Sequence, residues 1–171
     1  MTDEARTWFE VGRRTDDTAV AAARFAMVAS VLGPQLAEAD VDLRVDHAGL
    51  PAVVGSALQS LRGRRRARWA RRVRVQVAEP GRGVDSPSSD AEMRRARADV
   101  QRVAGYTHVT LVGADGALVA AVHEGLVTAA LTAREVALVT SRLGEQPTEI
   151  VSPPSGLAAL LTLRPRGGER R

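Results

Sequence analysis

Three histidines and the scattered carboxylates are the first side chains to consider for acid–base or metal chemistry. The histidines lie far apart in the sequence: His47, His108 and His123. None has a second histidine four residues away, as a metal-binding H-E-x-x-H helix requires. Carboxylate pairs such as Asp16-Asp17 and Asp42/Asp46 stand where helix caps and strand exteriors are expected. Because the chain has no cysteine, thiolate catalysis, disulfides and Cys-based zinc sites are excluded.

Motifs for nucleophilic catalysis or nucleotide binding are also missing from the sequence. There is no G-x-S-x-G, no Walker glycine-lysine pair and no G-x-G-x-x-G between a strand and a helix. Gly81-Arg82-Gly83 is instead interpreted as part of a connector. We therefore expect no catalytic residue, no metal site and no cofactor. A small enzyme with an unrecognised site is the least favoured of the three functions considered.

A segment rich in arginine is the most conspicuous chemical feature of the chain. Eight arginines and one tryptophan occur within thirteen residues: Arg62, Arg64, Arg65, Arg66, Arg68, Trp69, Arg71, Arg72 and Arg74. No acidic residue lies between Asp46 and Glu79. Guanidinium groups bind phosphate in a bidentate manner, and an indole stacks on a base. This segment therefore supports nucleic-acid binding as an alternative function.

A structural interpretation of the same segment is favoured by composition. All 24 Lys-plus-Arg residues are arginine, and the net charge is only +4, because 20 acidic residues offset them. An arginine excess is then a weaker sign of function than in a chain that also uses lysine. We expect the segment to be a solvated helix end or to pair with carboxylates of this chain.

Length, cysteine usage and apolar runs indicate the broad class of protein. The 171 residues fit one α+β domain over residues 1–164, with a flexible loop at about 79–88 and a disordered tail at 165–171. The lack of cysteine favours a reducing compartment, so we expect a cytoplasmic protein. No apolar run approaches the roughly 20 residues of a membrane-spanning helix.

Periodic apolar residues in the first half predict helices and strands in alternation. A helix with a bend at Gly33-Pro34 is predicted by Ala21, Phe25, Val28, Leu32 and Leu36. Alternation predicts a strand through Val41, Leu43 and Val45. A second helix begins near Gly49 and Pro51, and its apolar side comprises Leu50, Val54, Leu58 and Leu61. A further strand follows, with Val73, Val75 and Val77 on one side.

The second half predicts a helix, a meander of three strands and another helix. Ser89 and Glu92 have capping-box spacing at the start of a predicted helix. The apolar stripe of this helix comprises Met93, Ala96, Val100 and Val103. Gly105 suits a left-handed end of the helix. Asp115-Gly116 and Glu124-Gly125 predict the meander turns. Thr132 and Glu135 form a second capping box before a helix that ends at Gly144. Two short strands are expected, near Glu149 to Val151 and Leu157 to Leu163.

Two segments resemble a known family. LAEADVDLRV at 36–45 and VTLVGADGALVAAVHEGLVTAALTAREVALVTSRLGEQ at 109–146 are similar to the EspG family, the cytosolic chaperones of actinobacterial type VII secretion. The resemblance implies an antiparallel sheet flanked by helices, and a protein partner rather than a reaction. No site residue is carried over from it.

Taken together, these patterns favour a protein-binding function. We expect a mainly antiparallel sheet with about four flanking helices that acts as an adaptor, chaperone or assembly factor. The partner is expected to be another protein, or a second copy of the chain that pairs through exposed strand edges. Nucleic-acid binding through the arginine-rich segment stays open as the alternative.

Overall fold

The computed structural model describes residues 5–46, 48–65, 67, 69–79 and 91–150. Within these residues the chain forms seven strands and four α-helices. The strands are β1 (Thr7–Glu10), β2 (Leu36–Asp42), β3 (Arg72–Gln76), β4 (Val109–Gly113), β5 (Leu118–His123), β6 (Leu126–Leu131) and β7 (Thr148–Glu149). The helices are α1 (Thr18–Leu32), α2 (Ala52–Gly63), α3 (Ala91–Val103) and α4 (Ala133–Leu143).

The described strands form one antiparallel sheet in the order β3-β2-β4-β5-β6-β1-β7. Its centre is the predicted meander, in which β4, β5 and β6 are joined by two tight turns. Gly116 adopts a φ of 80°, and Glu124 and Gly125 adopt 46° and 74°. These positive values are the ones that the Asp-Gly and Glu-Gly sequences predict. The expected α+β fold is thereby confirmed.

The two faces of the sheet differ in what covers them. The first face carries the apolar side chains of the strands, including Val41, Val109 and Val122. These pack with buried residues of all four described helices, such as Phe25 and Leu58, into one core. The second face carries the intervening side chains, because successive residues of a strand point to opposite sides. On β2 and β3 these are charged residues, and on β4 to β6 they are mostly small.

Helix α3 bears out its predicted apolar stripe, and helix α4 bears out its predicted caps. Met93, Ala96, Val100 and Val103 of α3 are buried. At the start of α4 the Thr132 side chain accepts from the Glu135 amide, and Glu135 accepts from the Thr132 amide, so the capping box is confirmed. Gly144 ends α4 with a φ of 78°. The capping box assigned to Ser89 lies outside the described residues.

Three boundaries in the first half were predicted wrongly. Helix α1 begins after Asp17, as the cap residues indicate, but it ends at Leu32 and a 3-10 turn occupies Gly33–Gln35. Leu36 therefore begins β2 instead of ending the helix, because Pro34 breaks the helical hydrogen-bond pattern. β2 therefore starts earlier than predicted, and both Leu43 and Val45 of the predicted strand lie beyond its end at Asp42. Leu50 similarly precedes α2, whose N-cap is Pro51.

The predicted role of Gly105 was also wrong. It is not among the glycines with positive φ. A Cβ at this position would lie 2.2 Å from the backbone oxygen of Thr18. Glycine is needed here because the loop after α3 passes directly against the start of α1.

Strand β1 was not predicted, and the end of the sheet agrees only in part. The predicted strand near Glu149 is present as β7, which pairs with β1. The predicted strand at 157–163, most of the loop at 79–88 and the tail at 165–171 lie outside the described residues. No helix in the described part of the chain combines the length and apolarity needed to cross a membrane.

Candidate functional site

The arginine-rich segment joins the end of α2 to the edge strand β3. Arg62 lies in the last turn of α2, Arg64 is its C-cap, and Arg72 and Arg74 belong to β3. Trp69 and Arg71 lie in the connection between them, whereas Arg66 and Arg68 are outside the described residues. The fold therefore brings the described members of the segment to one corner of the molecule.

Three of these arginines are paired with carboxylates of the same chain. Arg72 and Arg74 contact Asp40 at 3.4 and 3.2 Å, and Arg74 also lies 3.7 Å from Glu38. These contacts follow from strand pairing, since Arg74 lies directly opposite Asp40 on β2. Arg64 reaches Glu92 of α3 at 2.9 Å. The expectation that part of the segment pairs with this chain's own carboxylates is confirmed.

Two further arginines bind backbone carbonyl groups near the end of α2. The Arg62 Nη2 donates to the Leu43 carbonyl at 3.0 Å, and the Arg65 Nε donates to the Arg62 carbonyl at 2.9 Å. The last carbonyl groups of a helix have no partner within it, and cationic side chains there are stabilising. Both side chains are therefore held in place while keeping their charge at the surface.

Trp69 lies beside these anchored arginines and is almost fully exposed. Its relative exposure is 86%, although an indole is among the largest apolar side chains available for burial. It borders a groove of about 380 Å³, which is lined by Leu43, Arg44, Arg62, Arg65, Trp69, Ala70 and Arg71. We call this the Trp69 groove. It presents an uncovered aromatic surface surrounded by positive charge.

A second cluster gathers histidines that are distant in sequence. His108 immediately precedes β4 and His123 ends β5, and their ring centroids are 4.8 Å apart. His108 lies seven residues before Asp115, and His123 lies seven residues after Gly116. A tight hairpin turn at Asp115-Gly116 therefore places them opposite one another. Sequence reasoning identified this turn but did not draw the consequence that the two histidines meet.

A cleft of about 220 Å³ lies at the histidine pair. Its polar lining includes Asp42, Arg44, Thr107 and Glu124. Burial lowers the pKa of His108 to about 4, and the nearby charge of Arg72 and the neighbouring His123 act in the same direction. They outweigh Asp42 and Asp40, which act to raise it. His108 is therefore neutral near neutral pH.

The carboxylate of Asp42 is already occupied by Arg44. The Arg44 Nε lies 3.0 and 3.1 Å from its two oxygens, and the Arg44 amide donates to it at 2.9 Å. Burial acts to raise the pKa of Asp42, but the hydrogen bonds from Arg44 and the charges of Arg44 and Arg72 together lower it. Asp42 is thus an ionised partner of Arg44 rather than a proton donor.

In the histidine cleft, neither His108 nor His123 forms a hydrogen bond with a described carboxylate, a contact that orients a catalytic histidine in acid–base catalysis. His123 Nε2 lies 3.7 Å from Glu124 Oε1, beyond hydrogen-bond distance, and Glu124 is itself bound by Arg14. The buried Nε2 of His108 has no hydrogen-bond partner. No group of three or more His, Asp or Glu side chains in the described residues is arranged to hold a metal ion. His47 lies outside those residues.

Comparisons of the chain with protein-family models, curated proteins and solved structures give no match. The Trp69 groove and the histidine cleft are therefore the features of the chain that bear on its function. Of the two, the Trp69 groove is better suited to bind a partner, because its aromatic surface is exposed and Arg62 and Arg65 beside it are held by hydrogen bonds.

Proposed function

We propose that this chain is a non-catalytic protein-binding adaptor, chaperone or assembly factor of the cytoplasm, and that it binds its partner at the Trp69 groove. The observation that carries the proposal is the exposure of Trp69 among arginines. Tryptophan and arginine are the residues most enriched among those that dominate protein–protein binding energy. The resemblance of residues 36–45 and 109–146 to the EspG chaperones, which is an expectation from the sequence, implies the same class of function.

The lining of the Trp69 groove indicates the chemistry of the partner. Arg62 and Arg65 are held by their bonds to backbone carbonyls, so ordering them on binding costs little side-chain entropy. Arg71 is exposed and forms no ion pair with another described residue. A matching partner segment presents one apolar or aromatic side chain to Trp69 and carboxylates to the surrounding guanidinium groups.

Selection from a phage-displayed random peptide library tests this proposal. Panning against the immobilised chain should enrich peptides that combine Asp or Glu with an aromatic residue or leucine. A synthetic copy of an enriched peptide should bind Trp69→Ala at least ~30-fold more weakly than the unsubstituted chain, as expected for a dominant interface residue.

Val53→Ala supplies the matched control. Val53 lies on α2 and is 63% exposed, so this substitution also truncates an exposed apolar side chain. Its Kd should stay within about twofold of the original. Equal affinity of the peptides for Trp69→Ala and the unsubstituted chain would exclude the Trp69 groove as the binding site.

Binding of single-stranded nucleic acid is the second candidate, and it is favoured by the same exposed indole. Stacking of a base on Trp69 and phosphate contacts from Arg71 would supply its affinity. We rank it second because Arg64, Arg72 and Arg74 are engaged by carboxylates, which reduces the charge available to phosphates.

A thymidine 20-mer labelled with a fluorophore distinguishes the two candidates. If nucleic acid is the ligand, the logarithm of the association constant falls with log salt by about 0.7 for each phosphate neutralised. Saturable binding at 150 mM salt that Arg71→Ser weakens would replace protein binding by nucleic-acid binding as the proposed function. We expect no saturable binding at that salt concentration.

A further inference from the structure

Strand β3 lies at an edge of the described sheet, next to the Trp69 groove. Among the described strands it pairs with β2 alone. Arg71, which lines the Trp69 groove, directly precedes the first residue of β3. A bound segment that leaves this groove towards β3 therefore meets the backbone of an edge strand. Such a backbone is a template to which an extended segment can add as a further strand.

Hydrogen bonds at the two ends of β3 fix the alternation of its backbone groups. The Leu43 amide donates to the Arg71 carbonyl at 2.8 Å, and the Val77 amide donates to the Ala37 carbonyl at 2.9 Å. Between these two bonds, β2 and β3 pair residue by residue. Hydrogen-bonded and non-hydrogen-bonded pairs alternate in an antiparallel ladder. Every second residue of β3 therefore directs its N–H and C=O groups away from β2.

The residues of β3 whose backbone groups point outward are Arg72, Arg74 and Gln76. In the described part of the chain, no hydrogen bond beyond the ladder with β2 involves the backbone of these three residues. Arg74 and Gln76 are exposed, so water reaches this edge. The intervening residues, Val73 and Val75, are bonded to β2 and bury their side chains on the first face. The edge thus offers unpaired donors and acceptors beside an apolar row.

Charge distinguishes a second copy of this chain from a different partner at the edge. The register that pairs the whole of β3 with itself places Arg74 opposite its equivalent in the second copy. Like charges directly opposite one another are destabilising. The Arg74 side chain is 46% exposed and donates to Asp40 at 3.2 Å, so its remaining N–H groups can bind a further carboxylate. The edge therefore favours an acidic partner over a second copy.

We propose that the segment bound at the Trp69 groove is an extended acidic one that continues along β3 and pairs with it antiparallel, as a further strand of the sheet. Carboxylates two residues apart then lie opposite Arg74 and Arg72, and an apolar residue between them lies beside Val73. Because Trp69 precedes Arg72 by three residues, the aromatic or leucine side chain that contacts Trp69 follows the strand. This inference rests on the proposed function and adds the conformation and sequence pattern of the partner.

Amide hydrogen exchange, followed by NMR, tests whether β3 gains a neighbour. In the free chain the amides of Arg72, Arg74 and Gln76 should exchange quickly, because their N–H groups face water. A saturating peptide selected from the library should slow exchange at all three by at least ~10-fold. A peptide held by the groove alone would leave these amides fast.

Methylation of single backbone nitrogens of the same peptide tests the pairing from the other side, and it leaves the folding of the chain unaffected. Where the peptide N–H faces β3, methylation should raise the Kd at least ~10-fold, because it removes a hydrogen bond. At the intervening residues, whose N–H groups point away from β3, it should raise the Kd less than ~3-fold. These intervening positions are the matched control within one peptide.

Failure of this inference can be distinguished from failure of the proposed function. Binding that needs Trp69, but shows neither slowed exchange at the three amides nor the alternating effect of methylation, would overturn the added strand and keep the groove. Peptides that bind Trp69→Ala unchanged, or a library that yields no binding peptide, would reject both. Slow exchange at the three amides in the free chain would also overturn the inference, and a dependence on protein concentration would identify a second copy as the occupant.

Discussion

Acidification is expected to destabilise this protein through His108. The pKa of this histidine is about 4 in the folded chain, below the ordinary value of 6.5, mainly because the ring is buried. Between these two values the unfolded chain binds a proton that the folded chain does not. Stability must therefore fall as the pH falls from about 6.5 to about 4, and this contribution changes little above or below that window.

The size of the effect follows from the shift in pKa. A fall from 6.5 to about 4 corresponds to at most about 3.4 kcal/mol, at about 1.36 kcal/mol for each pKa unit. His108 is only partly buried, and solvent screening reduces the effect. We expect a loss of about 2 kcal/mol between pH 7.5 and pH 4.5 that is attributable to this residue.

Urea unfolding monitored by circular dichroism at the two pH values measures this loss. His108→Gln cannot be protonated, so its stability should fall by about 2 kcal/mol less than that of the unsubstituted chain over the same interval. His123→Gln is the comparison variant: it removes one of the lesser causes of the lowered pKa of His108 and leaves the burial of that ring, so it should keep most of the loss. Equal losses for the unsubstituted chain and His108→Gln would show that His108 is not kept neutral by burial.

Two further predictions concern packing. Glu135 accepts hydrogen bonds from both terminal nitrogens of Arg6, from Gln35 and from the Thr132 amide, each at 2.9 Å. Glu135→Ala should therefore lower the free energy of unfolding by about 3 kcal/mol in the same urea assay. A loss below about 1 kcal/mol would mean that these bonds do not hold β1 and α4 together. Gly105→Ala should lower the free energy of unfolding by about 1 to 3 kcal/mol, because the added Cβ would meet the Thr18 backbone oxygen. Gly55 lies on α2 with open space around it, so Gly55→Ala should leave the protein equally stable or slightly more stable. Equal thermal midpoints for the two alanine variants would contradict the close approach at Gly105.

Local sequence patterns predicted the elements whose signals lie within a few residues of one another. The Thr132 and Glu135 capping box and the Asp115-Gly116 turn act through adjacent backbone groups, so they could be recognised without the rest of the fold. β1 was missed because Trp8 and Phe9 are consecutive apolar residues and show no alternation. Phe9 packs against the core, and alternation places Trp8 on the second face. A short strand with apolar side chains on both faces lacks the period-two pattern.

The candidate site depended on contacts that no local pattern encodes. The pairing of Arg74 with Asp40 requires the register between β2 and β3, which are separated by helix α2. The exposure of Trp69 could not be predicted either, because an indole in an arginine-rich run is compatible with burial or with contact to solvent. The meeting of His108 and His123, by contrast, was within reach of the sequence, since both are equally distant from a recognised turn.

The most direct test of the proposed binding site follows the fluorescence of Trp69 itself. In a Trp8→Phe background Trp69 is the sole tryptophan of the chain. Its emission should start at the long wavelength of a solvated indole, since it is 86% exposed. A peptide selected from the library should shift that emission to shorter wavelength, with a saturation curve that gives the Kd measured independently by anisotropy. A peptide that binds with the same Kd and leaves the emission of Trp69 unchanged would contradict the assignment of this groove as the partner-binding site.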